Sequence, residues 1–326
     1  MLNQQENNVK RIIVTGGNGY VGRELVRLLY DEHEVHVLDK VAPEALRFRA
    51  DERERFHFTR VDLTDEAAVG HAMAAIVPDV VVHLAAVHYI PQCEDEPLMA
   101  LGANVLGTVA VLKHLPERCR IVFASSGAVY KPAGDPHGET SLQQPSDIYG
   151  LSKLHGEHYV ANFAAKRSLD AAVVRLFNVV GPGETNPHLL PELVAQLKAG
   201  RQTIRLGNLW PKRDYIHVKD AALGFRAIAL KGSTSFGEVT TVNLGTSNAY
   251  SVIEVLEKLR RVSQTDFAIE EDPDRTRKVD RPFLAADTSR IRALFDWSPR
   301  FTIDDAMADL WREPELSASL TARYNV

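Results

Sequence analysis

Short apolar runs alternate with longer segments in which apolar residues recur at helical spacing. The runs are rich in valine and isoleucine, which is typical of strands buried on both faces. They lie at Ile12–Thr15, Glu34–Leu38, Phe56–Val61, Val80–Leu84, Arg120–Ala124 and Ala171–Leu176. Strands that alternate with helices form βαβ units. The pattern therefore predicts an α/β fold built on a doubly wound parallel sheet.

A glycine-rich turn joins the first predicted strand to the helix after it. Its glycines fit G-x-G-x-x-G from Gly17 and also G-x-x-G-x-x-G from Gly16. Glycine tolerates positive φ and lets the backbone approach a ligand, while the amide groups of a helix N-terminus can bind a pyrophosphate. This context predicts a Rossmann-like dinucleotide site, and an ordinary turn that binds nothing is the alternative.

Asp39 ends the second run, twenty residues after Gly19. A carboxylate at this position accepts hydrogen bonds from ribose hydroxyls and repels a 2′-phosphate. The sequence therefore favours NAD over NADP as the cofactor. Lys40, Arg47 and Arg49 lie close by in sequence and could weaken that preference.

Two further strand ends carry candidate residues, because ligands lie beyond the carboxyl ends of parallel strands. Asp62 follows the third run and could reach the adenine. Alternatively, Asp62 or Thr64 simply caps the next helix. Ala85 and Ala86 follow the fourth run and are small, as a strand end that faces a cofactor requires.

Tyr149 and Lys153 lie four residues apart, on one face of a predicted helix. A neighbouring cation lowers the pKa of a phenol and makes it a better base. Ser126, which follows the fifth run together with Ser125, offers a hydroxyl that can share a substrate oxygen with Tyr149. A surface Tyr-Lys pair is the alternative for so short a pattern, but the other motifs favour a catalytic pair.

The net charge of −5 argues against a nucleic-acid or anionic-membrane partner. Cys93 and Cys119 form no disulfide framework and no metal-ligand spacing, so we expect reduced thiols in a cytoplasmic protein and no metal site. The leader from Met1 to Lys10 is polar and lacks the apolar centre of a signal peptide, and we expect it to be frayed. No apolar run approaches the length of a membrane span.

The pattern changes after Asn178, where Gly181, Pro182 and Gly183 precede shorter and less regular elements. A chain of 326 residues is long enough for two domains. We predict a cofactor domain over 1–178, with segments at about 212–245 returning to it, and a smaller α/β substrate domain over 179–326. Loops are predicted at Val41–Pro43, Pro91–Pro97 and Lys131–Asp147, and a solvated charged face at Asp51–Arg55.

These motifs together resemble the extended short-chain dehydrogenase/reductase superfamily. Within it the chain is most similar to the NAD-dependent nucleotide-sugar epimerases and dehydratases, above all the UDP-glucose 4-epimerases. The resemblance runs from Val9 to about Met307. It rests on the glycine turn, Asp39, the Tyr-x-x-x-Lys pair, and the segments Ser-Ser-Gly-Ala-Val-Tyr at 125–130, Arg-Leu-Phe-Asn-Val at 175–179 and Arg-Asp-Tyr-Ile-His-Val at 213–218.

The resemblance implies a role for each matching residue. The catalytic set would be Ser126, Tyr149 and Lys153. The residues that hold NAD would be Gly16, Gly19, Tyr20, Val21, Gly22, Asp39, Lys40, Asp62, Leu63, Leu84, Ala85, Ala86, Asn104, Ser125, Tyr149, Lys153 and Phe177. The residues that bind a nucleotide-diphosphate sugar would be His88, Ser126, Asn178, His188, Leu189, Arg213 and Arg281.

Two of these residues, Arg213 and Arg281, fall where the family binds the pyrophosphate, and a guanidinium suits phosphate oxygens. A surface salt bridge with Asp214 is the alternative for Arg213. The family usually forms homodimers through two helices of each subunit, so the resemblance also implies a homodimer.

The implied reaction is epimerisation at C4 of a UDP-hexose or UDP-uronic acid, through a transient 4-keto sugar and with a tightly held NAD. The 4,6-dehydratases carry an Asp-Glu pair after the catalytic serine, whereas this chain has Gly127 and Ala128. A 4-ketoreductase or dehydratase remains the alternative activity. A redox-sensing or scaffold protein and an amino-acid dehydrogenase are alternatives from other classes.

Three positions depart from the UDP-galactose enzymes, namely His88, Lys131 and His188. They leave the sugar and the nucleotide base open, and His88 could equally be an ordinary surface or core histidine.

Overall fold

The computed structural model describes residues 9–184, 186–231, 236–273, 281–313, 316 and 318–324. The first eight residues of the predicted frayed leader lie outside the described residues. The chain divides into two compact units, each built from separated segments. The first unit consists of Met1–Ser125, Leu151–Val174 and Ala222–Thr241, and the second of Ser126–Gly150, Arg175–Ala221 and Val242–Val326. The division of cofactor and substrate between two domains stays a prediction.

The strands, in chain order, are β1 (Arg11–Thr15), β2 (Glu34–Asp39), β3 (His57–Arg60), β4 (Val80–His83), β5 (Arg120–Ser126), β6 (Asp170–Leu176), β7 (Asn178–Val180), β8 (Thr203–Leu206), β9 (Lys212–His217), β10 (Val239–Leu244), β11 (Ala249–Ser251), β12 (Ala268–Glu271) and β13 (Phe283–Leu284). The helices are α1 (Tyr20–Leu29), α2 (Ala50–Arg53), α3 (Glu66–Ile76), α4 (Ile90–Asp95), α5 (Pro97–Leu101), α6 (Gly107–His114), α7 (Ile148–Arg167), α8 (Leu189–Lys198), α9 (Val218–Lys231), α10 (Val252–Ser263), α11 (Ser289–Phe295), α12 (Ile303–Arg312) and α13 (Ala318–Tyr324). Short 3₁₀ turns cover Pro43–Ala45 and Gly127–Val129, and a π-helical turn covers Gly102–Leu106.

A seven-stranded sheet with the order β10-β6-β5-β4-β1-β2-β3 belongs mainly to the first unit. Strand β1 pairs in parallel with β2 and with β4, and the pairs β2–β3 and β4–β5 are also parallel. The strand order reverses at β1, which is the position where doubly wound sheets bind their ligands. The predicted α/β fold is confirmed, and the six apolar runs are strands β1 to β6.

The core of the first unit lies between this sheet and its helices. Sheet residues such as Ile13 and Ile121 pack with Val69 of α3 and Val111 of α6 in one buried cluster. Helix α7 comes very close to β5, because a Cβ built on its Gly156 would lie 2.4 Å from the Phe123 ring. This close packing sets the distance between α7 and β5, the strand that ends in Ser125 and Ser126.

The second unit has its own small sheets and core. Strand β9 pairs with β7, β11 and β13, and β8 pairs with β12. Its core cluster includes Leu193 of α8, Val255 of α10 and Met307 of α12.

Two local predictions are wrong. The segment Pro91–Pro97, predicted as a loop, lies in α4 and at the start of α5, because each proline occupies a first-turn position where no amide donor is needed. The charged run Asp51–Arg55 is not wholly solvated, because Glu52 is buried in an ion pair with Arg27. Cys93 and Cys119 are buried free thiols, as predicted. No helix in the described part of the chain is both long enough and apolar enough to cross a membrane.

Candidate active site

The glycine turn between β1 and α1 requires its glycines. Gly16 has φ +68°, and a Cβ on Gly16 would lie 2.8 Å from the Cα of Ala85. A Cβ on Gly22 would lie 2.3 Å from the carbonyl oxygen of Gly16. The backbone therefore folds into a tight cradle with the start of α1 beside it. These residues fit a dinucleotide pyrophosphate, which needs close backbone approach and helix amides.

Asp39 lies half-buried at the end of β2, beside the glycine turn. Its carboxylate accepts hydrogen bonds from the backbone amides of Asn18, at 3.1 Å, and Val41, at 3.4 Å. The charge is therefore held at the turn where a ribose would lie. Of the nearby cations, Arg49 is engaged by Asp51 in an exposed ion pair, while Lys40 is exposed.

Asp62 lies exposed, two residues beyond β3. Its Oδ1 accepts from the amide of Thr64 at 2.9 Å and from the Thr64 hydroxyl at 2.8 Å, and these bonds lower the pKa of the Asp62 carboxyl. The alternative in which Asp62 or Thr64 caps the next helix is wrong. Asp65 is the N-cap of α3, because its side chain accepts from the amide of Ala68.

Lys153 lies on α7 with only 3% of its surface exposed. Its Nζ donates to the carbonyl oxygen of Ala124 at 2.8 Å and lies 5.2 Å from the centre of the Phe123 ring. Burial lowers the pKa of the Lys153 ammonium to about 8. The side chain is thus fixed against the end of β5, and its ammonium stays charged at pH 7.

Asn104 is 1% exposed and lies in the π-helical turn. Its side-chain oxygen accepts from the amide of Val87 at 2.8 Å, and its amide nitrogen donates to the carbonyl of Val87 at 2.9 Å and to the hydroxyl of Ser152 at 3.0 Å. Asn104 therefore fixes the chain just after Leu84, Ala85 and Ala86. π-Helical turns recur at functional sites.

Two buried groups of the first unit were missed by the sequence reasoning. Glu157, one turn after Lys153 on α7, accepts a hydrogen bond from the hydroxyl of Ser125. His83 bonds to the hydroxyls of Thr15 at 2.7 Å and Thr108 at 2.9 Å. Burial, and secondarily the charge of Lys153, lowers the pKa of His83 to about 3, so this imidazole stays neutral. The i+4 spacing from Lys153 could have indicated Glu157, whereas His83 required the sheet register.

In the second unit, Ser126 begins the 3₁₀ turn, and its Oγ accepts from the amide of Ala128 at 3.1 Å. Gly127 is closely covered by Phe177, because a Cβ on Gly127 would lie 3.1 Å from that ring. A larger residue at 127 would displace Phe177. A side chain at 127 would therefore require the Phe177 ring to shift by a few tenths of an ångström.

Tyr149 is half-buried in the first turn of α7, four residues before Lys153. Two residues earlier, Asp147 accepts a hydrogen bond from the amide of Gly150 at 2.7 Å, as helix-capping residues do. The other carboxylate oxygen of Asp147 accepts from Arg281 at 2.6 Å. Asp147 was missed by the sequence reasoning, although its residue type before a helix is a capping signal.

Arg281 is 8% exposed and donates from one nitrogen to Asp147, to the carbonyl of Ala128 at 3.1 Å and to the hydroxyl of Ser146 at 3.2 Å. Arg213 is half-buried and donates to the carbonyl of Arg281 at 2.7 Å. The two predicted phosphate-binding arginines are therefore adjacent within the second unit.

The alternative of a surface salt bridge between Arg213 and Asp214 is wrong, because Asp214 is fully buried. Its carboxylate accepts from the backbone amides of Thr246, Ser247 and Ala286. Burial raises the pKa of the Asp214 carboxyl, although these bonds oppose that effect. Asp214 therefore stabilises the backbone at Thr246, Ser247 and Ala286.

Three of the remaining predicted substrate residues lie where a strand or a helix begins, and the fourth lies in a loop. Asn178 is exposed at the first position of β7, His188 is the half-buried N-cap residue of α8, and Leu189 is the first residue of that helix. His88, in the first unit, is half-buried five residues beyond β4.

Tyr130 and Arg175, which also belong to the motifs of the sequence, are buried in the second unit. The hydroxyl of Tyr130 donates to Asn243 at 2.7 Å and accepts from Arg175 at 2.9 Å. Burial raises the pKa of Tyr130 to about 12. These residues therefore support the fold around the site.

A doubly wound parallel sheet, a glycine cradle at its switch point and a buried lysine one helical turn after a tyrosine define a dinucleotide-dependent enzyme. The model of the NAD dependent epimerase/dehydratase family matches residues 12–245, and the chain belongs to that family. The family is NAD dependent, which confirms NAD as the predicted cofactor.

Curated relatives of this chain include two activities. The chain is 28% identical over 298 residues to GDP-6-deoxy-D-talose 4-dehydrogenase of Aggregatibacter actinomycetemcomitans, covering 90% of this chain and 93% of the relative. It is 31% identical over 319 residues to UDP-glucose 4-epimerase of Streptomyces lividans, covering 92% and 95%. Among solved structures, UDP-glucose 4-epimerase of Thermus thermophilus in complex with NAD matches with a TM-score of 0.80 at 26% identity, covering 93% of this chain and 98% of that one.

Proposed function

We propose that this protein is an NAD-dependent nucleotide-sugar 4-epimerase. The observation that carries the proposal is the buried Lys153, which lies on α7 four residues after Tyr149 and whose Nζ is held by the carbonyl oxygen of Ala124 at 2.8 Å. The cofactor would lie on the glycine cradle, with Asp39 on its ribose. NAD, when bound, supplies a hydride acceptor and then a hydride donor for C4 of the sugar.

The residues of the chain would manage the proton and the position of the substrate. The phenolate oxygen of Tyr149 takes the proton from the 4-hydroxyl of the sugar, and Lys153 favours that phenolate by its charge. The hydroxyl of Ser126 donates to the same sugar oxygen. Tyr149 would return the proton to the same sugar oxygen at the end of the reaction, so that its own protonation state is restored.

A 4-epimerase must hold its substrate by the part that does not react. Arg213 and Arg281 would bind the diphosphate, so that most of the binding energy lies away from the sugar and leaves it free to turn. The names of the relatives include both a GDP-linked and a UDP-linked sugar, so the test below includes substrates with either nucleotide.

A reductase is the second candidate, because the first relative named above is a 4-dehydrogenase. The carboxylate of Asp39, held at the glycine turn, favours NAD, and a cofactor that is regenerated in place suits an epimerase. A dehydratase is disfavoured because the side chains of Gly127 and Ala128 can neither donate nor accept a proton.

The test is to purify the full chain without added cofactor, denature a sample and identify any dinucleotide that it releases. Fresh enzyme is then incubated with UDP-glucose, UDP-N-acetylglucosamine, UDP-glucuronic acid and GDP-mannose, and the products are resolved by chromatography and mass. Released NAD and a product of unchanged mass with inverted C4 support the epimerase. A product lighter by one water indicates a dehydratase, and turnover only with added NADH and a keto sugar indicates a reductase.

A matched pair of variants ties the activity to this site. Tyr149→Phe removes the proposed base, whereas Tyr30→Phe removes the hydroxyl of a half-buried tyrosine at the C-terminus of α1, which has no proposed role in the reaction. Loss of turnover in the first variant and its retention in the second support the assignment. Equal activity in both would contradict it.

We also propose a homodimer formed by the first unit. Leu98 and Leu106 are 83% and 65% exposed and lie eight residues apart, the first in α5 and the second in the π-helical turn that follows it. Leu151 and Tyr159, 40% and 41% exposed, share the same spacing on α7. Such apolar faces suit a helical interface. Light scattering should give twice the chain mass, falling to one chain mass when Leu98 and Leu106 are both changed to Glu.

A further inference from the structure

Two histidines and a glutamate lie together where β2 and β3 begin. Glu34 and His36 are two residues apart in β2, so their side chains leave the same face of the sheet. His57 is the first residue of β3 and is the register partner of His36 in the parallel pair. Register partners in neighbouring strands carry their side chains on the same face. The fold thus brings all three side chains to one place.

The atoms that could bind a metal are already close. The Nε2 of His36 lies 2.9 Å from the Oε1 of Glu34, and the rings of His36 and His57 stack with centroids 4.7 Å apart and planes 25° apart. One potential ligand atom from each of the three residues lies within 4.8 Å of the others.

The surroundings suit an accessible site. Glu34 and His57 are exposed and His36 is half-buried, while β3 is the edge strand of the sheet. The register partner of Glu34 in β1 is Arg11, whose guanidinium donates to the carbonyl of Ile76 at 2.8 Å.

From this juxtaposition we propose that Glu34, His36 and His57 bind one divalent transition-metal ion, with zinc the best match. Two imidazoles and one carboxylate are a known zinc donor set, and solvent would complete a tetrahedral shell. Zinc bonds of about 2.0 to 2.2 Å require the ligand atoms to approach more closely than they do now. The exposed side chains of Glu34 and His57 can rotate to achieve this.

The proposed ion would not take part in the reaction. Glu34 begins the strand that Asp39 ends, so the metal and the cofactor cradle lie at opposite ends of β2, about 15 Å apart at a strand rise of about 3.3 Å per residue. Its role would be to join the edge strand β3 to β2. Because the folded chain would bind the ion and the unfolded chain would bind it poorly, zinc should raise the melting temperature.

The test uses the full-length protein, freed of metals with a chelator and then dialysed. Zinc chloride is titrated calorimetrically at pH 7.5, and cobalt chloride is added separately to record the visible spectrum of tetrahedral coordination. The variants are His57→Gln and Glu34→Gln, and the matched control is His71→Gln, which changes an exposed histidine of α3.

We expect the wild type and the His71→Gln control to bind the same number of zinc ions and to show the same rise in melting temperature. The His57→Gln and Glu34→Gln variants should each bind one ion fewer and lose that rise, while their melting temperature without metal stays close to that of the wild type. Unchanged zinc stoichiometry in His57→Gln, or a wild type that binds no zinc in the calorimetric titration, would overturn the proposal.

Discussion

Replacing Lys153 by methionine should remove activity and make the stability of the protein depend differently on pH. The ammonium of Lys153 is almost fully buried, and its pKa lies at about 8 instead of the ordinary 10.5. At 1.36 kcal/mol for each pH unit, the difference between these two values corresponds to about 3 kcal/mol. At pH 7, where Lys153 is charged, burial of the ammonium therefore destabilises the folded state by this amount. Methionine has a similar length and no charge, so the variant avoids this destabilisation.

The sign follows from the protons that each state binds. Below pH 8 both the folded and the unfolded wild type hold the proton, so this group adds no slope. Between about pH 8 and 10.5 the folded state has lost the proton while the unfolded state keeps it, so the wild type gains stability as the pH rises. The variant, which has no ammonium at 153, gains nothing from this source.

Methionine also leaves the carbonyl of Ala124 without its bond from Lys153, which costs about 1 to 3 kcal/mol at every pH. At pH 7 the variant should thus be as stable as the wild type or up to about 2 kcal/mol more stable. At pH 10.5 it should be less stable by about 1 to 3 kcal/mol. The difference in unfolding free energy between the two proteins should change by about 3 kcal/mol over this range.

The assay is urea unfolding of the cofactor-free proteins at several pH values from 7 to 10.5, followed by tryptophan fluorescence. Taking the difference between variant and wild type removes the ionisation of tyrosines common to both. Lys166→Met, which changes an exposed lysine of the same helix, is the control and should show no such pH dependence. A difference between Lys153→Met and wild type that stays constant from pH 7 to 10.5 would refute the lowered pKa.

Three further predictions concern the same site. Tyr149→Phe should lower turnover by about 10²- to 10⁴-fold with an unchanged urea midpoint; a loss of less than tenfold would exclude Tyr149 as the base. Gly22→Ala places a Cβ 2.3 Å from the Gly16 oxygen, so the purified protein should release little NAD on denaturation, and wild-type NAD content would contradict the cradle. Asp147→Asn keeps a cap for α7 but removes the charge beside Arg281, so KM for the nucleotide sugar should change. Its thermal stability should fall less than that of Asp147→Ala, which also loses about 1 kcal/mol of capping. Identical KM values in wild type and Asp147→Asn would show that Asp147 does not contribute to substrate binding.

The sheet and its glycine turn could be predicted because their signals are local. Runs such as Val80–Leu84 are apolar throughout, and the turn at Gly16 follows one directly. The helices at Pro91–Pro97 were missed because proline reads as a loop signal, although it also fits the first turn of a helix. Capping of α3 by Asp62 or Thr64 was an alternative because both are capping residue types close to Asp65, and the structure uses Asp65.

The residues of the candidate site could likewise be predicted where the signal is local, and not where it depends on distant positions. Tyr149 and Lys153 could be paired from their spacing, since four residues define one helical face. The neutral state of His83 could not be predicted, because it depends on burial by neighbouring elements of the fold and on the charge of Lys153, which is 70 residues away in sequence. The role of Asp147 as the partner of Arg281 joins positions 134 residues apart, which no local pattern can indicate.

The strand order also bears on how the protein is made. Strand β10 lies beside β6 at one edge of the seven-stranded sheet, yet residues 177–238 separate the two in sequence. At a synthesis rate of about 5 to 20 residues per second, β6 emerges roughly 3 to 12 s before its neighbour exists. An unpaired strand edge invites pairing with another chain. Nascent chains on neighbouring ribosomes are therefore most prone to mispair during this interval, and a pause in translation between β6 and β10 should increase aggregation.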